Sequence, residues 1–481
     1  MTTHSHLGGT FSWCLSWLPL LILSARCLAS AAEPALLPHV DPRVEVVSIV
    51  FRLTGEDSDY NKSFLKGYAS DIDAYFSPFG NHPAVLLARK LAERDDFDVA
   101  APMQIAVRVS SPPALEPLLP FTNDVPGDGF DKETALLFLR RLREFYRDTH
   151  FEKFLAAHQV LYRLAEDRFE GVLREIDLSW YPSFYGEAQE SSYHIILALN
   201  NGGSNYGAQF TLGDGHEERF AIMGSWTTDD SGNPTYTNST YLDNVIHEFN
   251  HSFVNPAFDR HKADFAAAQK VFAELAGQME RQEYTNSDIM VYESLVRVNV
   301  ILYLESKGRT RADFQAKIRD EQKRGFLWMD ALYDFMHQYT SQRNRYPTFD
   351  SFMPAVAQFY RDLPPRLPGM KANFYKNYAH VTAVEPFLNH SRDVDPGTRE
   401  IVVKFDKPLA CCHYSINDGP DGKEHFPIVG TPAFLRGNQS IKLTVALKPG
   451  SHYSFTLTDE SFASQDGFPL ESYTIDFDTK P

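Results

Sequence analysis

Two histidines four residues apart, with a glutamate directly after the first, stand at His247, Glu248 and His251 within the run STYLDNVIHEFNHSFVNP of residues 239–256. On a helix, positions i and i+4 are neighbours on one face, so both imidazoles can reach one Zn2+ ion. The glutamate then projects from the flank where an activated water would sit. Two ligands and a general base are part of what zinc-assisted hydrolysis requires. Ser239 or Thr240 can cap the start of this helix, and Pro256 is expected to stop it just after Asn255. At ~100° per residue, Leu242, Val245, Ile246, Phe249 and Phe253 share one stripe to be buried, while His247 and His251 lie on the opposite side.

Such a site needs a third protein ligand and a fourth position open to water. The metzincin pattern would place Gly and His where Val254 and Ala257 stand, so that subclass is excluded. Glu293, Glu274 and His261 remain. Glu293 opens an almost wholly apolar helical run reaching Leu304, and a charge there must have a partner. A metal is one, and Arg297, one turn later, can hold the second carboxylate oxygen. Glu293 is therefore the expected third ligand, with Glu274 and His261 in reserve. Tyr241, Tyr292 and His261 are candidates for stabilising an oxyanion.

The elements around this helix follow from pattern. β-branched runs at 44–53 and 104–110 read as strands, and 83–93 as a helix. Residues 134–175 read as a helix pair, 193–199 and 219–226 as strands, and 240–360 as helices. If 193–199 is a sheet edge, it could align an extended peptide beside the metal by strand addition. The Pro-rich stretch 363–369 is expected to break the helical region, and four alternating segments follow at 400–405, 440–447, 452–457 and 472–477. The fold class expected is α+β, a zincin-like metallopeptidase domain over 39–370, followed by a β-sandwich over 380–481.

With 481 residues, 43% apolar and 13% aromatic, the chain can bury a sizeable core. A net charge of −17 without basic runs excludes the footprint of a nucleic-acid binder. The apolar stretch 11–23, followed by Ala29-Ser30-Ala31-Ala32, reads as a signal peptide over 1–31 and implies export, although no Lys or Arg precedes it. Its removal would leave two cysteines, the adjacent Cys411 and Cys412, which are expected to be inert thiols.

The run from His247 to Pro256, with Glu293-Ser294-Leu295-Val296-Arg297, resembles a family of exported bacterial proteins described as a domain of unknown function and similar to gluzincin metallopeptidases. The resemblance covers roughly 39–360. The family's description carries no substrate; the Zn2+ cofactor is expected from the spacing of the histidines, and a peptide or protein substrate from the strand at 193–199. The tail, with Val384-Glu385-Pro386 and Leu447-Lys448-Pro449-Gly450, resembles bacterial Ig-like domains. The alternative is a non-catalytic cell-surface binding protein with a structural HExxH helix and an Ig-like recognition domain. An intact Glu248 speaks against it, since a purely structural zinc site has no use for a general base.

Overall fold

Asp41 and Pro42 start the first helix: the Asp41 carboxylate accepts from the Arg43 amide at 2.8 Å, and proline occupies the first turn, where no N–H is needed. The computed structural model describes residues 36–481 except 56–59, 61, 95, 123–128 and 187–190; the expected leader at 1–31 lies outside the described residues. After a two-residue strand β1 (Pro38–His39) comes α1 (Pro42–Arg52), so the expected strand at 44–53 is a helix. Val44 to Val50 are buried on every side, and in a fully buried helix the β-branched composition loses its value as a strand signal. The expected strand at 104–110 likewise belongs mostly to a helix, initiated by Pro102.

The first helical layer comprises α1, α2 (Lys66–Phe76), α3 (Pro83–Ala92), α4 (Ala101–Val107), α5 (Lys132–Asp148), α6 (Phe151–Ala157), α7 (Gln159–Leu173) and α8 (Trp180–Tyr185). The stretch 134–175 thus holds three helices rather than two, because His150 takes a left-handed φ of 52° between α5 and α6. Three strands follow: β2 (Ser191–Ala198), β3 (Tyr206–Thr211) and β4 (Glu217–Gly224). Sheet order is β1-β2-β4-β3, with β1, β2 and β4 parallel and β3 antiparallel. The segment 193–199 is therefore interior, and the edge beside the metal-motif helix is β3.

The second helical layer contains α9 (Asn238–His261), α10 (Ala268–Glu280), α11 (Ser287–Ser306), α12 (Arg311–Lys323), α13 (Met329–Ser341), α14 (Phe349–Asp362) and α15 (Leu367–Tyr375). Helix α9 packs on β3 and β4 with one side and on α11 with another. It does not stop at Pro256. A proline there withholds the N–H that Ser252 O would accept, and the Arg219 guanidinium supplies the missing donor at 2.6 Å while stacking 3.7 Å from the Phe253 ring. The prolines at 364, 365 and 368 also fail to end the helical region, since each occupies a first turn, of a 3-10 turn or of α15.

From β5 (Val381–Glu385) onward the chain is all strand and turn: β6 (Glu400–Phe405), β7 (Ile416–Asp418), β8 (Ala433–Phe434), β9 (Ser440–Thr444), β10 (His452–Leu457) and β11 (Tyr473–Asp478). Two antiparallel sheets, β5-β6-β9-β8 and β11-β10-β7, bury Ile401, Val403, Leu443, Phe455, Ile475 and Phe477 between them. Cys411 and Cys412 are not free thiols: with Cα atoms 3.3 Å apart, they are joined as a disulfide. Residues Leu37–Pro481 cluster as one unit. Among the described residues no helix is long and apolar enough to cross a membrane.

Placing a helix at 42–52 buries Glu45 completely. Its carboxyl accepts from the Tyr68 hydroxyl, which pairs with the Tyr162 hydroxyl at 2.8 Å, and it has no cationic partner among the described residues. Burial pushes it up to about 7, against the opposing Tyr68 and Leu199 bonds. A raised carboxyl pKa contributes stability that is complete below the ordinary value of 4.5 and is lost as pH rises through about 7. Glu45→Gln should therefore gain on the wild type between pH 5 and 8, by roughly 3 kcal/mol at the upper end. Urea melts across that range check it, and a pH-independent difference would contradict it.

Candidate metal centre

Helix α9 presents His247 and His251 on one face, as their spacing requires, while Leu242, Val245, Ile246, Phe249 and Phe253 are buried elsewhere around it. Its register against α11 is pinned by polar groups within the core. Tyr185 OH donates to Asn250 Oδ1 at 2.9 Å, Asn250 Nδ2 donates to Val296 O at 3.4 Å, and Asn299 Nδ2 donates to Tyr185 OH at 2.9 Å. Asn250 and Asn299 are fully buried, so a slip of one helix past the other would strand several polar groups without partners. The neighbour of Asn250 in sequence is His251, and the link therefore fixes the histidine pair opposite Glu293.

Those three side chains converge. His247 Nε2 and His251 Nε2 are 3.1 Å apart, and the Glu293 oxygens lie 3.6 Å from the first and 3.4 Å from the second. Donors held around 2.1 Å from one tetrahedral ion are about 3.4 Å from each other, so the triangle has the size of a metal-binding group. No other trio among the described α-helical residues offers ligand atoms so close together. The His251 ring is oriented by Asn255 Oδ1, 3.1 Å from Nδ1, which turns Nε2 toward His247 and Glu293.

Behind Glu293 stands a buried relay. Arg297 Nη2 lies 3.2 Å from Glu293 Oε2 and donates to Tyr284 OH at 2.6 Å, while Nη1 donates to Glu321 Oε2 at 2.9 Å. Tyr284 OH in turn donates to Glu293 Oε2 at 3.0 Å. Burial alone would raise the Glu293 carboxyl, but the His251 bond and the charges of His247, His251 and Arg297 outweigh it and hold the group well below the usual carboxylate range. Burial lowers His247, whereas the Glu293 bond and charge carry His251 up to about 9. The Glu293 carboxylate is thus held as an anion facing the two imidazoles.

Glu248 is only 6% exposed, and burial lifts its carboxyl to about 7, opposed by His251 and by the Gly207 amide. That amide belongs to β3, which crosses α9 so closely that a Cβ on Gly207 would lie 2.4 Å from Glu248 O and 2.9 Å from His251 Cβ. Glycine is required at that crossing. A cleft of about 600 Å³ opens in front, lined by Asn205, Tyr206, Asp243, His247, Glu248 and Lys317 among others. The outer edge of β3 is engaged beyond this point: Gln104 Nε2 donates to Gly207 O at 3.1 Å, and Arg108 Nη2 to Gln209 O at 2.8 Å.

The reserve ligands lie elsewhere. Glu274 faces Lys371 at 3.9 Å, and His261 sits between Asp264 and Asp350 at the end of α9. Tyr241 is buried against Trp226 and accepts from its amide at 3.0 Å, away from the cleft, while the Tyr292 ring packs 5.9 Å from His251. Sequence reasoning missed Tyr284, Glu321 and Gly207, which reach the site only through tertiary contact. Asn255 was findable, because it is four residues after His251 on the same helix face.

Residues 36–359 match the family model described as Domain of unknown function (DUF4932). No curated protein matches the chain. Among solved structures, CopC from Methylosinus trichosporium OB3b is similar at 14% identity and a TM-score of 0.17, over 22% of this chain and 95% of that one. Domains 1-6 of the surface layer protein SbsC are similar at 15% identity and a TM-score of 0.17, over 51% of this chain and 34% of that one. Scores this low carry no assignment of fold.

Proposed function

Since the chain belongs to the DUF4932 family, whose description assigns no chemistry, we propose from the residues themselves that it is an exported zinc-dependent peptidase. The observation that carries this reading is the convergence of His247, His251 and Glu293 beside a buried Glu248 that is not one of the three ligands. A binding protein with a merely structural ion would have no use for that fourth group. In this reading the helices and four-stranded sheet are zincin-like, the C-terminal sheets are Ig-like, and residues 1–31 direct export.

His247, His251 and Glu293 would hold the ion, which when bound polarises a carbonyl and acidifies water. Glu248 then takes the proton of the attacking water and delivers it to the leaving amine. Arg297 and Tyr284 keep Glu293 oriented and anionic throughout, and Asn255 keeps the His251 ring aimed. The substrate chain would lie along residues 203–206, which line the cleft, because Gln104 and Arg108 occupy the next two outward carbonyls of β3.

The purified protein should hydrolyse an unstructured peptide, lose that activity to a chelator and regain it with added zinc. Hydrolysis that survives complete metal removal would overturn the reading. A metal-loaded protein that cleaves no peptide in a broad library would return the site to the structural alternative.

A further inference from the structure

The charged side chains that line the cleft beside His247 are, among the described residues, Asp243, Glu248, Arg297, Lys317, Glu321 and Arg324. Most are spent on one another. Lys317 Nζ reaches Asp243 Oδ2 at 2.6 Å and so ties α12 to α9. Arg297 is held between Glu293 Oε2 at 3.2 Å and Glu321 Oε2 at 2.9 Å. Glu248 is buried, and the proposed mechanism uses it as the base. Arg324 is left over. The one carboxylate that it meets belongs to Glu321, whose Oε2 stands 3.9 Å from Nε and already accepts from Arg297.

The backbone of Arg324 is fixed while its side chain is not. It closes α12, where its amide donates to Asp320 O at 3.1 Å and its carbonyl accepts from Gln282 Nε2 at 2.6 Å. The side chain, 54% exposed, reaches the cleft. Carboxylates outnumber cations in this chain, 63 acidic residues against 46 basic, yet among the described residues none hydrogen-bonds to this guanidinium. A guanidinium offers a rigid, planar fork of donors that matches a carboxylate two bonds at a time. An anchored fork with open donors at a cleft has the form of a carboxylate receptor.

We propose that Arg324 determines specificity, selecting peptides that carry a carboxylate a few residues from the scissile bond. This rests on the peptidase reading above. Contacts of 3.2, 2.9 and 3.9 Å run in series from the metal ligand Glu293 through Arg297 and Glu321 to Arg324. An extended peptide advances ~3.3 Å per residue, so a carboxylate within about four residues of the cleaved bond reaches the guanidinium. A basic side chain finds no equivalent receptor, because Asp243 and Glu321 are already neutralised by Lys317 and Arg297. Two sources supply the selected group: an Asp or Glu side chain, and the C-terminus of a short peptide.

The test gives the zinc-loaded full-length protein matched peptides of one neutral sequence. Glu or Gln is scanned through the positions on either side of the cleaved bond, and each peptide is made with a free and with an amidated C-terminus. At the best position kcat/KM should favour the acid over its amide by about tenfold, the scale of a charge-assisted hydrogen bond. The difference should lie in KM, since the contact is remote from the reacting atoms. Arg324→Ala should bring the ratio to near one, Arg324→Lys should keep part of it, and Arg324→Glu should invert it toward a Lys peptide. Each ratio is taken within one protein, so a folding defect cancels. A Glu preference that survives amidation names the side chain, and a preference for the free terminus that Arg324→Ala abolishes names the C-terminal carboxylate. Ratios near one in the wild type, or unchanged in Arg324→Ala, would overturn the assignment while cleavage itself sustains the peptidase reading. Cleavage of no peptide at all would remove both.

Discussion

Replacing Glu248 by Gln is expected to lower kcat for peptide hydrolysis by ~10²–10⁴-fold while zinc stays bound. The amide fills nearly the same volume, so the close crossing of β3 over α9 at Gly207 is preserved. The ligand triangle of His247, His251 and Glu293 does not include this residue and should keep its ion. What disappears is the carboxylate beside the ligand triangle that, in the proposed mechanism, takes a proton from water and hands it to a leaving amine. Steady-state kinetics paired with metal analysis separates the two effects. Activity near that of the wild type would eliminate Glu248 as the base, and loss of zinc with activity would make it a ligand instead.

The second large effect is expected at Glu293→Gln. A neutral amide cannot supply the anion that the two histidines and Arg297 surround, so zinc affinity should fall by more than the ~10–100-fold typical of losing an outer partner. Hydrolysis should fall with it at limiting zinc. Because Glu321 still pairs with Arg297 at 2.9 Å, the folding cost should stay below the ~3–5 kcal/mol of breaking an isolated buried ion pair. Glu274→Gln and His261→Gln serve as controls and should leave zinc binding unchanged. A competition titration against a chromogenic chelator measures all three, and unchanged affinity in Glu293→Gln would remove it from the ligand set.

Legibility in the sequence followed the range of the interaction. His247 and His251 were readable because a helix converts spacing into a shared face, and Glu293 because one charge in an apolar run must find a partner. The extent of α9 was not readable. Pro256 stops a helix unless another donor reaches Ser252 O, and that donor, Arg219, stands 33 residues earlier in the chain on a strand. The helix at 42–52 was misread for a related reason: burial on all sides erases periodicity, and only Asp41-Pro42 marks its start. Tyr284 and Glu321 carry no local signal at all, since their roles exist only once α11 and α12 bring Arg297 between them.

The side chains of Gln104 and Arg108 have a meaning for the solution behaviour of the protein as well. An edge strand with unengaged carbonyls is a template on which a second copy can pair, extending one sheet into a stack of molecules. On β3 the outward carbonyls of Gly207 and Gln209 are already occupied by Gln104 of α4 and by Arg108 just past its end, and Arg108 also places a charge at that rim. A chain bearing alanine at both positions would present a bare strand of the sort that seeds fibrils, and light scattering after mild heating would register it as growth that the wild type resists.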